Sequence, residues 1–310
     1  MKRFKNIIYV SEATEDQAQA LDRAVSLAES NEATLTIIDV VAPVSDDYRS
    51  ERITSRANAL RSLIETYGNR LKIQLDVTMG TTFLEVIRAV LRNGHDLVIK
   101  TAENPGFIRR LFGSDDMHLL RKCPCPVWIM KPLEKSGYNC IMAAVDFNPM
   151  EPSAVNDELN GEILDLAGSI ALSDSGSLHL VHAWEAFAEK TIQSRSGTTD
   201  EVVATYIENQ RELHKKGLYM LNGALRARIG TDLYNRLSPG LHLPKGPAKV
   251  MIAKLAVDLN ADLVVMGTIA RTGISGLIIG NTAEAILDQL PCSVLAVKPP
   301  GFITPVKLEH

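Results

Sequence analysis

Cysteine is scarce, with four in 310 residues: Cys123, Cys125, Cys140 and Cys292. So few thiols, in apolar surroundings, suit reduced core residues in a reducing compartment and provide no disulfide framework. Cys123-Pro124-Cys125 has one residue between its thiols, the wrong spacing for the usual zinc knuckle or a thioredoxin-type motif. Excess charge is lacking too. The 33 Lys and Arg against 37 Asp and Glu leave a net charge of -4, which gives no bulk attraction to nucleic acid or an anionic membrane. Long apolar runs are missing: stretches such as Leu277 to Ile279 fall far short of the ~20 residues that cross a bilayer. Lys2, Arg3 and Lys5 lead into a run that Ser11 and Glu12 interrupt, so no leader is read and a cytoplasmic protein is expected. There is no Gly-x-Ser-x-Gly elbow, His-Glu-x-x-His helix or paired-carboxylate motif, and no catalytic residue or metal site is predicted.

What the sequence does contain is itself, twice. Gly80 through Ile99 aligns with Gly246 through Val265 at a constant shift of 166. After one deleted residue Gly113-Ser114 matches Gly280-Asn281, and Pro124-Cys125-Pro126-Val127 matches Pro291-Cys292-Ser293-Val294, through to Lys131 and Lys298. Earlier, Asn6 to Ser11 matches Ile141 to Asp146. A repeat about half the chain long means duplicated domains, and this length suffices for two cores. The predicted division is 1-132, 138-301, and a tail 302-310 whose Leu308-Glu309-His310 reads as a purification-tag remnant. The boundary is the short polar stretch Pro132 to Gly137.

In each half, apolar runs alternate with stretches of helical period, the pattern of βαβ units around a buried parallel sheet. Strands are predicted near 5-10, 34-41, 72-78, 96-100 and 126-130, and again near 139-145, 177-183, 239-243, 262-266 and 293-297. The fold class is therefore α/β, two tandem doubly wound parallel five-stranded sheets. Leu84, Ile87 and Leu91 are assigned to one helix face, as are Leu159, Ile163, Leu166, Ala167 and Ile170, and Val250, Ala253 and Val257. Ala188 to Asp200 reads as a mobile loop, and the helix after it as core through Leu213, Leu218, Leu221 and Leu225.

In open α/β sheets ligands bind beyond the carboxyl ends of the strands. There the second half has Gly267, then Ala270-Arg271-Thr272-Gly273, Gly276 and Gly280-Asn281-Thr282 opening a helix. Glycines let a backbone approach a ligand, and free N–H groups at a helix start attract an anion, so a phosphate is expected at Gly280, Asn281 and Thr282. Glycines serve tight turns and close packing equally well. No Gly-Lys-Ser/Thr occurs and no Gly-x-Gly-x-x-Gly follows the first strand, which excludes the two commonest phosphate loops. Asp146 closes the first strand of this half, placed either to accept bonds from ribose hydroxyls or to serve a turn or cap near Asn148-Pro149. His179 and His182 invite a metal reading, but residues three apart on a strand point to opposite faces.

These residues carry a resemblance. The second half is similar to the universal stress protein family, whose ATP-binding members have an aspartate after the first strand and Gly-x2-Gly-x9-Gly-Ser/Thr after the fourth. Asp146, Gly267 and Gly280 match, while Ala270 stands for the second glycine and Asn281 for the hydroxyl residue. Asn281 can bond a phosphate through its amide, and Thr282 adds a hydroxyl. The resemblance implies a HUP-type (adenine nucleotide alpha hydrolase-like) fold packed as an internal pseudo-dimer, with further homodimerisation left open. It places Ala183 and Met266 against an adenine. In the first half Ser11 and Thr101 replace the aspartate and first glycine, only Gly113-Ser114 persists, and Glu103, Asp115 and Asp116 add negative charge. That half is expected to bind ATP weakly or not at all.

The expected ligand is ATP, with magnesium as companion of the triphosphate, or a related nucleotide or metabolite, in a stress-response protein regulated by occupancy. A module with both sites drifted, binding another metabolite or a partner, is one alternative. A slow, metal-assisted ATPase is the other.

Overall fold

The computed structural model describes residues 3-12, 17-102, 115-131, 135-194, 199-268 and 279-308. The first half runs β1 (Asn6–Ser11), α1 (Ala18–Asn31), β2 (Thr34–Val41), α2 (Asp46–Glu65), β3 (Ile73–Met79), α3 (Thr82–Asn93), β4 (Leu97–Thr101), α4 (Asp115–Lys122) and β5 (Val127–Met130). The second runs β6 (Cys140–Ala144), α5 (Ala154–Asp174), β7 (Ser177–Val181), α6 (Glu189–Gln193), α7 (Asp200–Ile229), α8 (Thr231–Leu237), β8 (Gly240–His242), α9 (Ala248–Asp258), β9 (Leu263–Gly267), α10 (Asn281–Leu287) and β10 (Ser293–Val297).

The two five-stranded units join edge to edge in one ten-stranded sheet, ordered β3-β2-β1-β4-β5-β10-β9-β6-β7-β8. Each half repeats the doubly wound order, and the seam is the one antiparallel pair among the described residues, with Leu295 opposite Trp128. Strands β5 and β10 are buried throughout, so the seam covers two edges that would otherwise expose unpaired backbone groups. Helices α1, α5, α7 and α8 pack on one face, with Leu21, Ile163, Leu218 and Leu237. Helices α3, α4, α9 and α10 pack on the other, with Val86, Leu119, Ile252 and Ile286.

Strand positions follow the apolar runs to within a residue or two. Two helix faces are rotated from their predicted positions. Helix α3 buries Val86, Ile87 and Val90 and leaves Leu91 exposed. Helix α9 likewise buries Ile252, Ala253 and Ala256 while Val250 and Val257 face solvent. The same positions are buried in both halves, Val86 with Ile252, Ile87 with Ala253 and Val90 with Ala256, because the duplicated helices lie on the sheet in the same orientation. In α7, Leu218 and Leu225 are buried but Leu213 is exposed, five residues and about 140° around the helix from Leu218. Part of the predicted loop at 188-200 is helical, since Glu189–Gln193 forms α6 and Glu189 pairs with Lys245 at 2.7 Å; residues 195-198 lie outside the described residues.

The halves meet at a buried ion pair. Arg23 of α1 donates to both carboxylate oxygens of Asp174 at the end of α5 (2.9 and 2.6 Å) and to the Ser136 carbonyl (3.2 Å). Its guanidinium lies 4.7 Å from the Tyr138 ring centroid and 5.5 Å from that of Trp128. The bidentate geometry and flanking π faces suit arginine specifically.

Candidate functional site

Strands β7, β6 and β9 are parallel neighbours, with Ala144 in register with Val181 on one side and Met266 on the other. Their carboxyl ends therefore open at one level. Val145 and Phe147 belong to the apolar cluster on the α5 face, so the pleat turns Asp146 between them to the α9–α10 face. Ala183 and Met266 pack on that same face. The structure thus brings Asp146, Ala183 and Met266 to one corner, although Met266 is 3% exposed and offers only its edge. Asp146 is exposed, and Asn160 of α5 clamps its backbone: the Asp146 N–H donates to Asn160 Oδ1 (3.0 Å), and Asn160 Nδ2 to the Asp146 carbonyl (2.9 Å). The N-cap of α5 is Ser153, and in the nearby turn Asn148 Oδ1 accepts from the Met150 N–H.

Gly267 ends β9. A Cβ there would lie 3.0 Å from Leu159 Cδ2, on the α5 face, so its missing side chain admits that helix. The neck of the loop is closed by the Gly280 N–H donating to the Thr268 carbonyl (3.0 Å), after which Asn281 and Thr282, both exposed, open α10. Ala270 and Arg271 lie outside the described residues.

Behind the strand ends is a ring stack that sequence reasoning missed. Phe147 stacks on His182 at 3.8 Å, and His214 of α7 lies against both His182 and Trp184. A carbonyl only accepts, so the contact of His182 Nδ1 with the Val145 carbonyl (3.2 Å) puts a proton on Nδ1, and Nε2 pairs with His214 Nδ1 (2.8 Å). Gly217 makes this possible, since a Cβ there would lie 2.3 Å from Phe147. His179 and His182 do point apart, and His179 pairs instead with His242 on β8 (2.9 Å).

Burial pulls the imidazoles of His179 and His242 below the ordinary histidine range, and each is further from charging than in the unfolded chain. The unfolded state then takes up protons first as pH falls below 6.5, the unperturbed value, so stability is lost on acidification. The urea midpoint is expected to be lower at pH 5.5 than at pH 7.5, and His242→Gln to flatten that difference; equal midpoints in the wild type would contradict the assignment.

At the matching corner of the first half there is a lysine. The repeat sets Lys100 opposite Met266, Thr101 opposite Gly267, Glu12 opposite Phe147 and Asp116 opposite Ala283. Lys100 is fully buried, and its ammonium contacts Asp116 in the first turn of α4 (2.7 Å), Glu12 (2.6 Å) and the Thr101 carbonyl (3.1 Å). Burial works against that charge, but the two carboxylates outweigh it and hold Lys100 above the ordinary lysine range. Asp116, read from sequence as repelling a triphosphate, is instead neutralised from within. Glu103 and Gly113-Ser114 lie outside the described residues. The missed signal was a lysine inside a strand buried on both faces, which demands a carboxylate partner.

A duplicated doubly wound sheet with an aspartate and a glycine turn at one set of strand ends defines the class. The universal stress protein family's sequence profile matches residues 3-131 and again 137-298, and the chain belongs to that family. It is 31% identical over 326 residues to universal stress protein E of Escherichia coli K12, covering all of this chain and 98% of that protein. It is 29% identical to the universal stress protein E homolog of Haemophilus influenzae, covering 96% and 98%. A functionally unknown protein from Pseudomonas aeruginosa PAO1 superposes with a TM-score of 0.71 at 27% identity, over 96% of this chain and 94% of that one. A universal stress protein from Archaeoglobus fulgidus shares the fold alone, with a TM-score of 0.65 at 17% identity over 94% and 98%. Family membership supports a role in the stress response. Among the described residues no helix is long and apolar enough to cross a membrane.

Proposed function

We propose that the second half binds an adenine nucleotide, ATP with magnesium or a close relative, and that occupancy regulates the protein's associations during stress. The observation that carries this reading is the convergence of Asp146, Ala183 and Met266 on one face at the carboxyl ends of three adjacent strands, where doubly wound sheets hold ligands. Asp146, with its backbone clamped by Asn160, would accept bonds from the ribose hydroxyls, and Ala183 and Met266 would border the adenine. The turn at Gly280, Asn281 and Thr282 would meet the phosphates with backbone N–H groups, an amide and a hydroxyl. Magnesium, when bound, would neutralise phosphate charge. In the first half the corresponding corner already holds the Lys100 ammonium, so one nucleotide per chain is the expected stoichiometry.

The test uses the whole chain, because the shared sheet and the Arg23–Asp174 pair argue against separating the halves. Calorimetric titration with ATP and magnesium is expected to give one site, weakened about tenfold or more by Asp146→Ala, the cost of losing a hydrogen bond to a charged group. Ser11→Ala, at the matching first-half position, is expected to change nothing. Absence of binding in the wild type, or equal effects of the two variants, would remove the assignment. Gly267→Val is the poorer probe, since its side chain would press on Leu159.

A further inference from the structure

The repeat pairs Lys298 with Lys131, and Lys298 meets a hydroxyl of its own half. Lys298 follows β10 and is buried, and its Nζ donates to Thr268 Oγ1 at 2.9 Å. It also donates to the carbonyls of Leu120 and of Arg121, the latter at 3.3 Å, at the end of α4 in the other half. An ammonium has three protons, and here three acceptors receive them. Two are the terminal carbonyls of a helix, the negative end of its dipole. Thr268 is the first residue after Gly267, and its carbonyl closes the loop neck on Gly280. Its counterpart in the first half, Ala102, makes the same backbone bond to the last strand of its own half but has no hydroxyl.

A second tie runs from the same helix to the other flank of that loop. Arg121 donates through Nε to Glu284 Oε1 of α10 at 3.1 Å, and also through its terminal nitrogen. Helix α4 therefore grips the loop on both sides: Thr268 before it through Lys298, and Glu284 after it through Arg121. The other end of α4 is pinned by Asp116 on the buried Lys100.

We propose that Lys298 is a positioning residue that makes α4, the helix beside the closed corner of the first half, a brace for the loop of the second half, so that the state of one is felt in the other. The transmission of ligand occupancy rests on the nucleotide reading above; the mechanical coupling does not.

Thr268→Val removes the hydroxyl, with its bond from Lys298 and its longer one to the Val297 carbonyl (3.4 Å), Thr268→Ser restores it, and Glu284→Gln weakens the other tie. Amide hydrogen exchange is read in α4 and in residues 279-287 of the full chain without nucleotide. Thr268→Val and Glu284→Gln are each expected to speed exchange in both regions about tenfold, the cost of one bond to a charged group, and Ser to return it to the wild-type rate. Unchanged protection of α4 in both variants overturns the coupling, whatever nucleotide does. With ATP and magnesium added, the wild type is expected to gain protection in α4, whose last residue, Lys122, precedes Thr268 by 146 residues, and Thr268→Val to lose that gain. Binding without any change in α4 overturns the transmission of occupancy. If the wild type binds no nucleotide, the functional reading falls and with it that transmission, while the exchange measured without nucleotide still decides the brace.

Discussion

Lys100→Met, the change that copies the second half's residue into the first, is expected to cost about 3–5 kcal/mol of stability, because it leaves a carboxylate buried without its cation. The side chain of Asp116 is 1% exposed, so water cannot take the place of Lys100 there, whereas Glu12 at 19% can turn outward. Adding Asp116→Ala, again the second half's residue, is expected to recover most of the loss, since replacing both members of a buried pair by apolar groups is often neutral. The comparison is made by urea unfolding of the two variants and the wild type. A single variant within 1 kcal/mol of the wild type, or a double variant no better than the single, would show that the lysine is not neutralised as described. The double variant also bears on the division of labour between the halves, because it gives the first half's corner two of the second half's residues without adding its aspartate.

Asp174→Ala is expected to cost a similar amount, about 3–5 kcal/mol, and to change the form of unfolding as well as its midpoint. Both side chains of the Arg23–Asp174 pair are only 4% exposed, and Asp174 also accepts from the Tyr138 N–H at 2.9 Å. The partners come from different halves, so the loss falls on their union rather than on either core. The chain has two tryptophans, Trp128 in the first half and Trp184 in the second, and single-tryptophan variants report each half separately. The two signals are expected to coincide in the wild type and to part in Asp174→Ala, where the β5–β10 seam must hold the halves with an uncompensated arginine beside it. Coincident transitions in the variant would mean that the seam alone makes the chain cooperative.

How far a residue's role was legible depended on how local its cause is. Strands declared themselves because a sheet buried on both faces needs unbroken apolar runs, as in Ile7 to Val10 and Leu263 to Met266. The faces of α3 and α9 were harder, since Leu91 and Val257 satisfy the helical period as well as Val90 and Ala256 do, and only the closeness of the sheet chooses between them. At the candidate site, Asp146 and the glycine turn were visible as a pattern. The common face of Asp146, Ala183 and Met266 came from the pleat and from register across three strands that are distant in sequence. The two histidine pairs were invisible, because His214 and His242 meet their partners only when α7 and β8 fold back on β7.

By itself the sequence determined that the chain is duplicated, that each half alternates strand and helix around a parallel sheet, and that only the second half retains an aspartate and a first motif glycine. All three are statements about pattern, and burial imposes pattern residue by residue. Tertiary structure alone decided where the buried charges go and how the halves meet: that they share one sheet, that Lys100 pairs with Asp116 and Glu12, that Arg23 crosses to Asp174, and that Lys298 joins Thr268 to α4. A buried charge must find an opposite charge or a set of acceptors, but the sequence says only that one is needed. Which group supplies it, over separations here of 16 to 178 residues, is settled when the chain has closed around it.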